Sequence, residues 1–134
     1  MAYGRFVQEY RKGSVNGASP VQLIIMLYDG ALKNMEAGKH AILQKNLQGQ
    51  NQSLQKAQKI VMELMSCLDM KAGEDVAKNL LALYTYVLNQ LIQANVHDDI
   101  APVDRSMKVF SDLRESWVQV ESTQRGLQSE KLAS

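Results

Sequence analysis

The sequence predicts an all-α protein: an antiparallel four-helix bundle of up-down-up-down order, with an N-terminal arm and a flexible C-terminal tail. Three observations carry that prediction. Apolar residues recur at steps of three and four through four stretches of similar length, the spacing that gathers them on one helix face. Short polar connections with capping residues separate the stretches, which makes consecutive helices antiparallel neighbours. No stretch alternates apolar and polar residues as a half-buried strand does, and no internal repeat is visible. A chain of 134 residues suits one domain around one core.

Residues 1–18 form the arm, where three glycines and polar residues interleave with Tyr3, Phe6, Val7, Tyr10 and Val15 without a sustained helical stripe. Helix one is expected over 19–44. Ser19, Pro20 and Gln22 make a capping box with proline at the first helical position. Its stripe is Ile24, Leu27, Tyr28, Ala31, Met35, Gly38 and Ile42. Asn46 can cap helix two, expected over 46–68, whose seam of Leu54, Ala57, Val61, Leu64 and Leu68 is the cleanest. Helix three is expected over 73–95, with Glu74 and Asp75 at its positive end. Asp98 or Asp99 can cap helix four, expected over 99–123, with Pro102 in the first turn. Its stripe is Val103, Met107, Phe110, Leu113, Trp117 and Val120. Residues 124–134 have too little apolar content to pack and read as a flexible tail.

Two helices carry more apolar surface than a seam requires. In "SPVQLIIMLYDGAL" the run from Leu23 to Tyr28 points in every direction around the axis. Ile25, Leu32 and Leu43 flank the stripe, and Met26 lies almost opposite it. Helix three has a seam of Val76, Leu80, Leu83, Val87, Leu91 and Ala94, and beside it a second line of Ala77, Leu81, Tyr84, Leu88 and Ile92. About six such side chains left in water would forgo on the order of 10 kcal/mol. Either the bundle has broad core faces, or the arm or a partner covers the surplus. Tyr28 lies on the main stripe and reads as core, as does Trp117. Tyr84 falls between seam and flank, Tyr86 points away from the seam, and Asn95 reads as a helix end.

Composition narrows the function classes. Fifteen Lys and Arg against fourteen Asp and Glu give a net charge of +1 with no basic block, so neither nucleic acid nor an anionic membrane is the expected partner. The longest apolar run is six residues, against roughly 20 for a membrane span. No signal-peptide pattern is seen, and the single Cys67, read as a buried structural thiol, fits a reducing cytoplasm.

Catalytic and metal patterns are weak. His40 follows Glu36 by four residues and His97 sits in a connection, with no converging ligand set, so no metal or cofactor is expected. Phosphate loops, Ser/His/Asp sets and Cys/His pairs are missing from the sequence, which points away from an enzyme. The alternative reading is a histidine phosphotransfer bundle using His40. "HAILQK" lacks the lysine and glycine such modules place after the phosphoacceptor.

"EYRKGSVNGASPVQLIIMLYDGAL" resembles the opening of the flagellin-specific export chaperones of the FliS family: an arm tyrosine, a Ser/Thr-Pro helix start and an "MLY-(D/N)-G" signature. "LQKAQKIVMEL", "NLLALYTYVLNQLIQAN" and "LRESW" follow in the same order and at similar spacing, so the resemblance spans about Tyr3 to Trp117. It implies a cytoplasmic, non-enzymatic helical bundle that binds the disordered C-terminal segment of flagellin. Such binding prevents premature polymerisation and aids type III flagellar export, with the export gate as a second candidate partner. It also implies that the arm gives way to the client, with Phe6, Val7 and Tyr10 as lid residues. A disordered client needs a large apolar surface to offset its ordering. The candidate client contacts are therefore the surplus residues Ile25, Met26, Leu32, Leu81, Tyr84, Leu88 and Ile92, forming a groove shared by helices one and three.

Overall fold

The computed structural model describes residues 17–133, the side chains of 131–133 excepted. Phe6, Val7 and Tyr10 lie outside the described residues. Four helices follow in order: α1 (Pro20–Leu43), α2 (Leu47–Ser66), α3 (Glu74–His97) and α4 (Ile100–Ala133). They form a ring in which α1 packs on α2 and α4, and α3 packs on the same two, so α1 and α3 face each other diagonally. This is the expected four-helix bundle.

Local chemistry sets the helix ends. The Ser19 hydroxyl accepts from the Gln22 amide, and the Gln22 side chain accepts from the Ser19 amide, completing the capping box. Helix α1 stops where Lys45 adopts a left-handed φ of 58°. The amides of Lys45 and Asn46 then bond back to the carbonyls of Ile42 and Ala41, the paired closure of a Schellman turn. Asn46 at once caps α2 by accepting from the Gly49 amide. At the next reversal Asp98 takes a left-handed φ of 52°, and Asp99 accepts from the Ala101 amide to start α4.

Side-chain bonds between helices define the register. Gln22 donates to Glu121, Arg114 pairs with Asp29, and Lys39 meets Asp104 at 2.8 Å. All three share a single antiparallel register of α1 and α4. Between α2 and α3, the Gln50 side chain is 2 % exposed and donates to the Asn95 carbonyl, the Asn95 side chain and Asp98. Periodicity left Gln50 off the helix-two seam. Asn95 does not end helix three, which continues to His97; it belongs to this polar lock and also donates to Asn51.

The core agrees with most of the seams. Leu27, Tyr28, Ala31, Met35, Leu54, Ala57, Val61, Leu64, Val87, Leu91, Ala94, Val103 and Phe110 are all buried. Val76 and Val120, placed on seams by spacing, are exposed, because spacing fixes a side chain's direction on its own helix and not whether a neighbour covers it. Helix α4 continues through Ala133 where a flexible tail was expected from 124. Low apolar content bars residues 122–130 from packing, and all of them are exposed, yet Gln, Arg, Leu, Glu and Lys are good helix formers.

Gly38 lets α1 approach α2 closely. A Cβ there would sit 2.5 Å from Leu54 Cδ2 and 2.8 Å from its Cγ, and Leu54 is fully buried. Gly38→Ala is therefore expected to lose about 1 kcal/mol, because overpacking of 1–3 kcal/mol exceeds the helix-propensity gain. Gly126→Ala, with nothing within 4 Å, should gain up to about 1 kcal/mol. Urea denaturation of the two variants checks the contrast, and equal effects would mean the close approach carries no constraint.

Candidate functional site

An aromatic layer crosses the middle of the bundle. Tyr28 of α1 and Tyr84 of α3 reach across the diagonal, and their hydroxyl oxygens lie 2.6 Å apart. Phe110 of α4 closes the layer, with its ring centre 4.7 Å from that of Tyr28 and 6.0 Å from that of Tyr84. Both tyrosines are essentially sealed from solvent. Burial raises both phenol pKa values, since a phenolate has no water to solvate it. The Trp117 indole lies within electrostatic reach of the Tyr28 oxygen and opposes part of that shift.

Beside this layer, towards the start of α1 and the α2–α3 connection, lies an open pocket of ≈ 350 Å³. Ile24 and Trp117 form one side, and Leu64, Cys67 and Leu68 another. Helix α3 contributes Val76, Ala77, Leu80 and Tyr84, while the connection supplies Asp69, Ala72 and Gly73. The space exists because the side chains beyond the aromatic layer are aliphatic or small, and the connection does not fold over them. The Asp69 side chain accepts from the amides of Lys71 and Ala72, and its carbonyl accepts from Gly73, which makes the connection a tight turn. Gly73 is required there: a Cβ would stand 2.8 Å from the Asp69 carbonyl oxygen and 2.7 Å from Ala77 Cβ. Cys67 donates its thiol to the Glu63 carbonyl at 3.1 Å and is half-buried rather than fully buried.

The surplus residues singled out by spacing are not brought together. Ile25 and Leu32 share a flank of α1 with Asp29, whose partner is Arg114, so that flank faces α4; Leu32 packs against the core. Leu81, Leu88 and Ile92 share a flank of α3 with Asn95, whose partners are on α2. The two flanks therefore face different neighbours. Met26, expected opposite the core, is half-buried. Tyr84 is core, yet it reaches the pocket. Ile92 and Tyr86 are the candidates left exposed, at 39 % and 40 %.

Where α1 and α3 do share a surface, it is built from Ile24, Val76 and Leu80, which spacing assigned to the seams. No periodicity signal marks such residues as uncovered, because covering depends on how far the neighbouring helix and turn extend. His40 is exposed on α1, and His97 is exposed in the last turn of α3 rather than in a connection. Among the described residues no group of three or more His, Cys, Asp and Glu converges, and no helix is long and apolar enough to cross a membrane.

A family model described as "Flagellar protein FliS" matches residues 3–124. The chain belongs to the FliS family. It is 36 % identical over 118 residues to the flagellar secretion chaperone FliS of Vibrio cholerae, covering 85 % of this chain and 87 % of that one. The Bacillus subtilis flagellar secretion chaperone FliS is 32 % identical over 116 residues, covering 87 % and 86 %. A solved structure titled as a flagellar chaperone from bacteria superposes with a TM-score of 0.74 at 19 % identity, over 90 % of this chain and 98 % of that one. It shares the fold. The FliS family is a family of chaperones rather than of enzymes.

The raised tyrosine pKa values give a pH dependence with a definite sign. A phenol held protonated in the fold contributes stability that is fully present below the unfolded value of about 10 and is lost as pH rises above it. The melting temperature should be insensitive to these groups below about pH 9 and fall above pH 10. In Tyr28→Phe, which also loses about 1 kcal/mol of hydroxyl bonding, that alkaline fall should be shallower. Thermal melts from pH 7 to 11 measure both slopes, and parallel curves would contradict the assignment.

Proposed function

We propose that this FliS-family chain binds the C-terminal segment of flagellin in the cytoplasm, keeps it from polymerising, and helps deliver it to the flagellar type III export apparatus. The observation that carries the reading is the open apolar pocket in a chain whose relatives are named flagellar secretion chaperones. A client that is disordered alone must bury apolar area to offset its loss of chain entropy. Val76 offers such area at the mouth of the pocket, being 67 % exposed, with Leu80 and Trp117 further in. Ile92, on another side of α3, would extend the contact if the client continues around the bundle, with half-buried Ile25, Met26 and Leu81 at its flanks, whereas Leu32 and Leu88 are packed on the core. Phe6, Val7 and Tyr10 supply the apolar side chains with which the arm would compete for the client's place. Phosphotransfer through His40 is the weaker reading, since the FliS relatives are named as chaperones.

Calorimetry with a synthetic flagellin C-terminal peptide tests this directly. Binding at about one to one with a negative heat-capacity change is expected, and no detectable binding would remove the proposal. Val76→Asp places a charge in the mouth of the pocket. It should weaken binding about tenfold or more while leaving stability within about 0.5 kcal/mol, because the site is exposed in the free protein. Ile92→Asp should weaken binding less, and the opposite ranking would move the main contact from the pocket to the α2-facing flank.

A further inference from the structure

Helix α4 is unevenly held. Its first half carries Pro102, Val103, Ser106 and Phe110, all buried, and Phe110 is locked into the aromatic layer with Tyr28 and Tyr84. Beyond Phe110 the one buried side chain among the described residues is a carboxylate, Glu121. Leu113 and Trp117 pack on the core there but are only half-buried, while Val118, Val120 and Leu127 are exposed. Two polar contacts with α1 complete the attachment. Arg114 pairs with Asp29, and Gln22 Nε2 donates to Glu121 Oε1 at 3.2 Å. Arg125 Nε donates to the same oxygen at 2.8 Å, which carries the tether one turn further along α4. The Arg114–Asp29 pair is largely in water, where such pairs contribute little. Propensity alone does not hold the segment in place, because most helical stability in proteins comes from packing an apolar face. One continuous helix is therefore bound by apolar burial as far as Phe110 and mainly by polar contacts beyond it.

We propose that the second half of α4, from residue 111 onwards, is a gate that opens as a unit while the rest of the bundle stays folded. Its inner edge is Phe110, the last apolar side chain of α4 sealed in the core. Segments with few buried apolar contacts are the ones that open locally, and elements that move on binding are drawn from them. Trp117 gives the opening its consequence. It forms one side of the pocket with Ile24, so the gate carries that part of the wall away. The pocket is then bounded by α1, α2, α3 and the α2–α3 connection, and is free on the side of α4. The volume of ≈ 350 Å³ belongs to the closed gate, and a bulkier occupant gains room when it opens. The gate is a property of the free protein and goes beyond the proposed flagellin binding; only the admission of an occupant rests on that reading.

Hydrogen exchange and tryptophan fluorescence test this on the full-length protein without ligand, so the outcome does not depend on whether flagellin binds. Amides of residues 111–121 should be protected at least about tenfold less than those of 104–110 in the same helix. Trp117 is the single tryptophan of the chain, so its fluorescence reports the gate. In a urea titration it should change at lower denaturant than the far-ultraviolet circular dichroism of the whole bundle. Arg114→Ala should speed exchange over 111–121 roughly two- to fivefold and Glu121→Ala roughly three- to tenfold, with 104–110 unchanged. Lys39→Ala breaks the ion pair with Asp104 in the first half of α4 and should leave 111–121 unchanged. Equal protection on both sides of Phe110, coincident urea transitions, or faster exchange over 111–121 in Lys39→Ala would each overturn the proposal, because α4 would then open only with the bundle. Protection that declines smoothly from residue 104 to the helix end, without a step after Phe110, overturns it as simple fraying. Should a tether variant misfold, the wild-type exchange pattern and urea titration decide alone.

Discussion

The contact between the hydroxyls of Tyr28 and Tyr84 ties the bundle together across its diagonal. In this ring of four helices each element packs on two neighbours, and the backbones of the diagonal pair α1 and α3 make no close approach. Two long aromatic side chains bridge that gap, and Phe110 fills the space they leave. The layer is apolar in its rings and polar at its centre. Its burial is stable only while the oxygens satisfy each other in a medium where an unbonded polar group is expensive.

The same layer accounts for the pocket. Bulk at the middle keeps α1 and α3 spread, and the aliphatic side chains beyond it, from Ile24, Leu68 and Leu80, do not fill the resulting width. The α2–α3 connection could have closed that end, but its Asp69-centred turn keeps the chain tight and low, and Gly73 allows the close return into α3. At the opposite end no comparable opening is needed to explain the packing: Gln50, Asn95 and Asp98 form a polar lock between α2 and α3. That end still exposes Leu43, Leu47 and Val96, so exposed apolar surface is not confined to the pocket.

The width of the apolar faces had two explanations, broad core faces or a covering partner, and the structure divides them by residue. Leu32 and Leu88 pack on the core, because helices α4 and α2 lie against the flanks that carry them. Val76 and Ile92 do not find such cover. Helical spacing reports the direction in which a side chain leaves its own axis. It does not report whether another element extends far enough to meet that side chain. This is why Val76 was placed on a seam and is exposed, while Leu32 was counted as surplus and is packed.

What the sequence determined by itself is local or periodic: four helices, the Ser19 capping box, the Asn46 cap, the bulk of the core, and the family to which the chain belongs. Each of these depends on residues within a turn or two of one another, or on an ordered set of short motifs. Only the tertiary structure decided that helix four runs to Ala133, that Gln50 is buried in a polar lock, and that Tyr28 meets Tyr84. It also showed an apolar pocket lined from the ends of two diagonal helices. The physical reason is common to all of these. They depend on where separate helices stop, how they are registered and which side chains reach across, and none of those quantities is written in the spacing of a single helix.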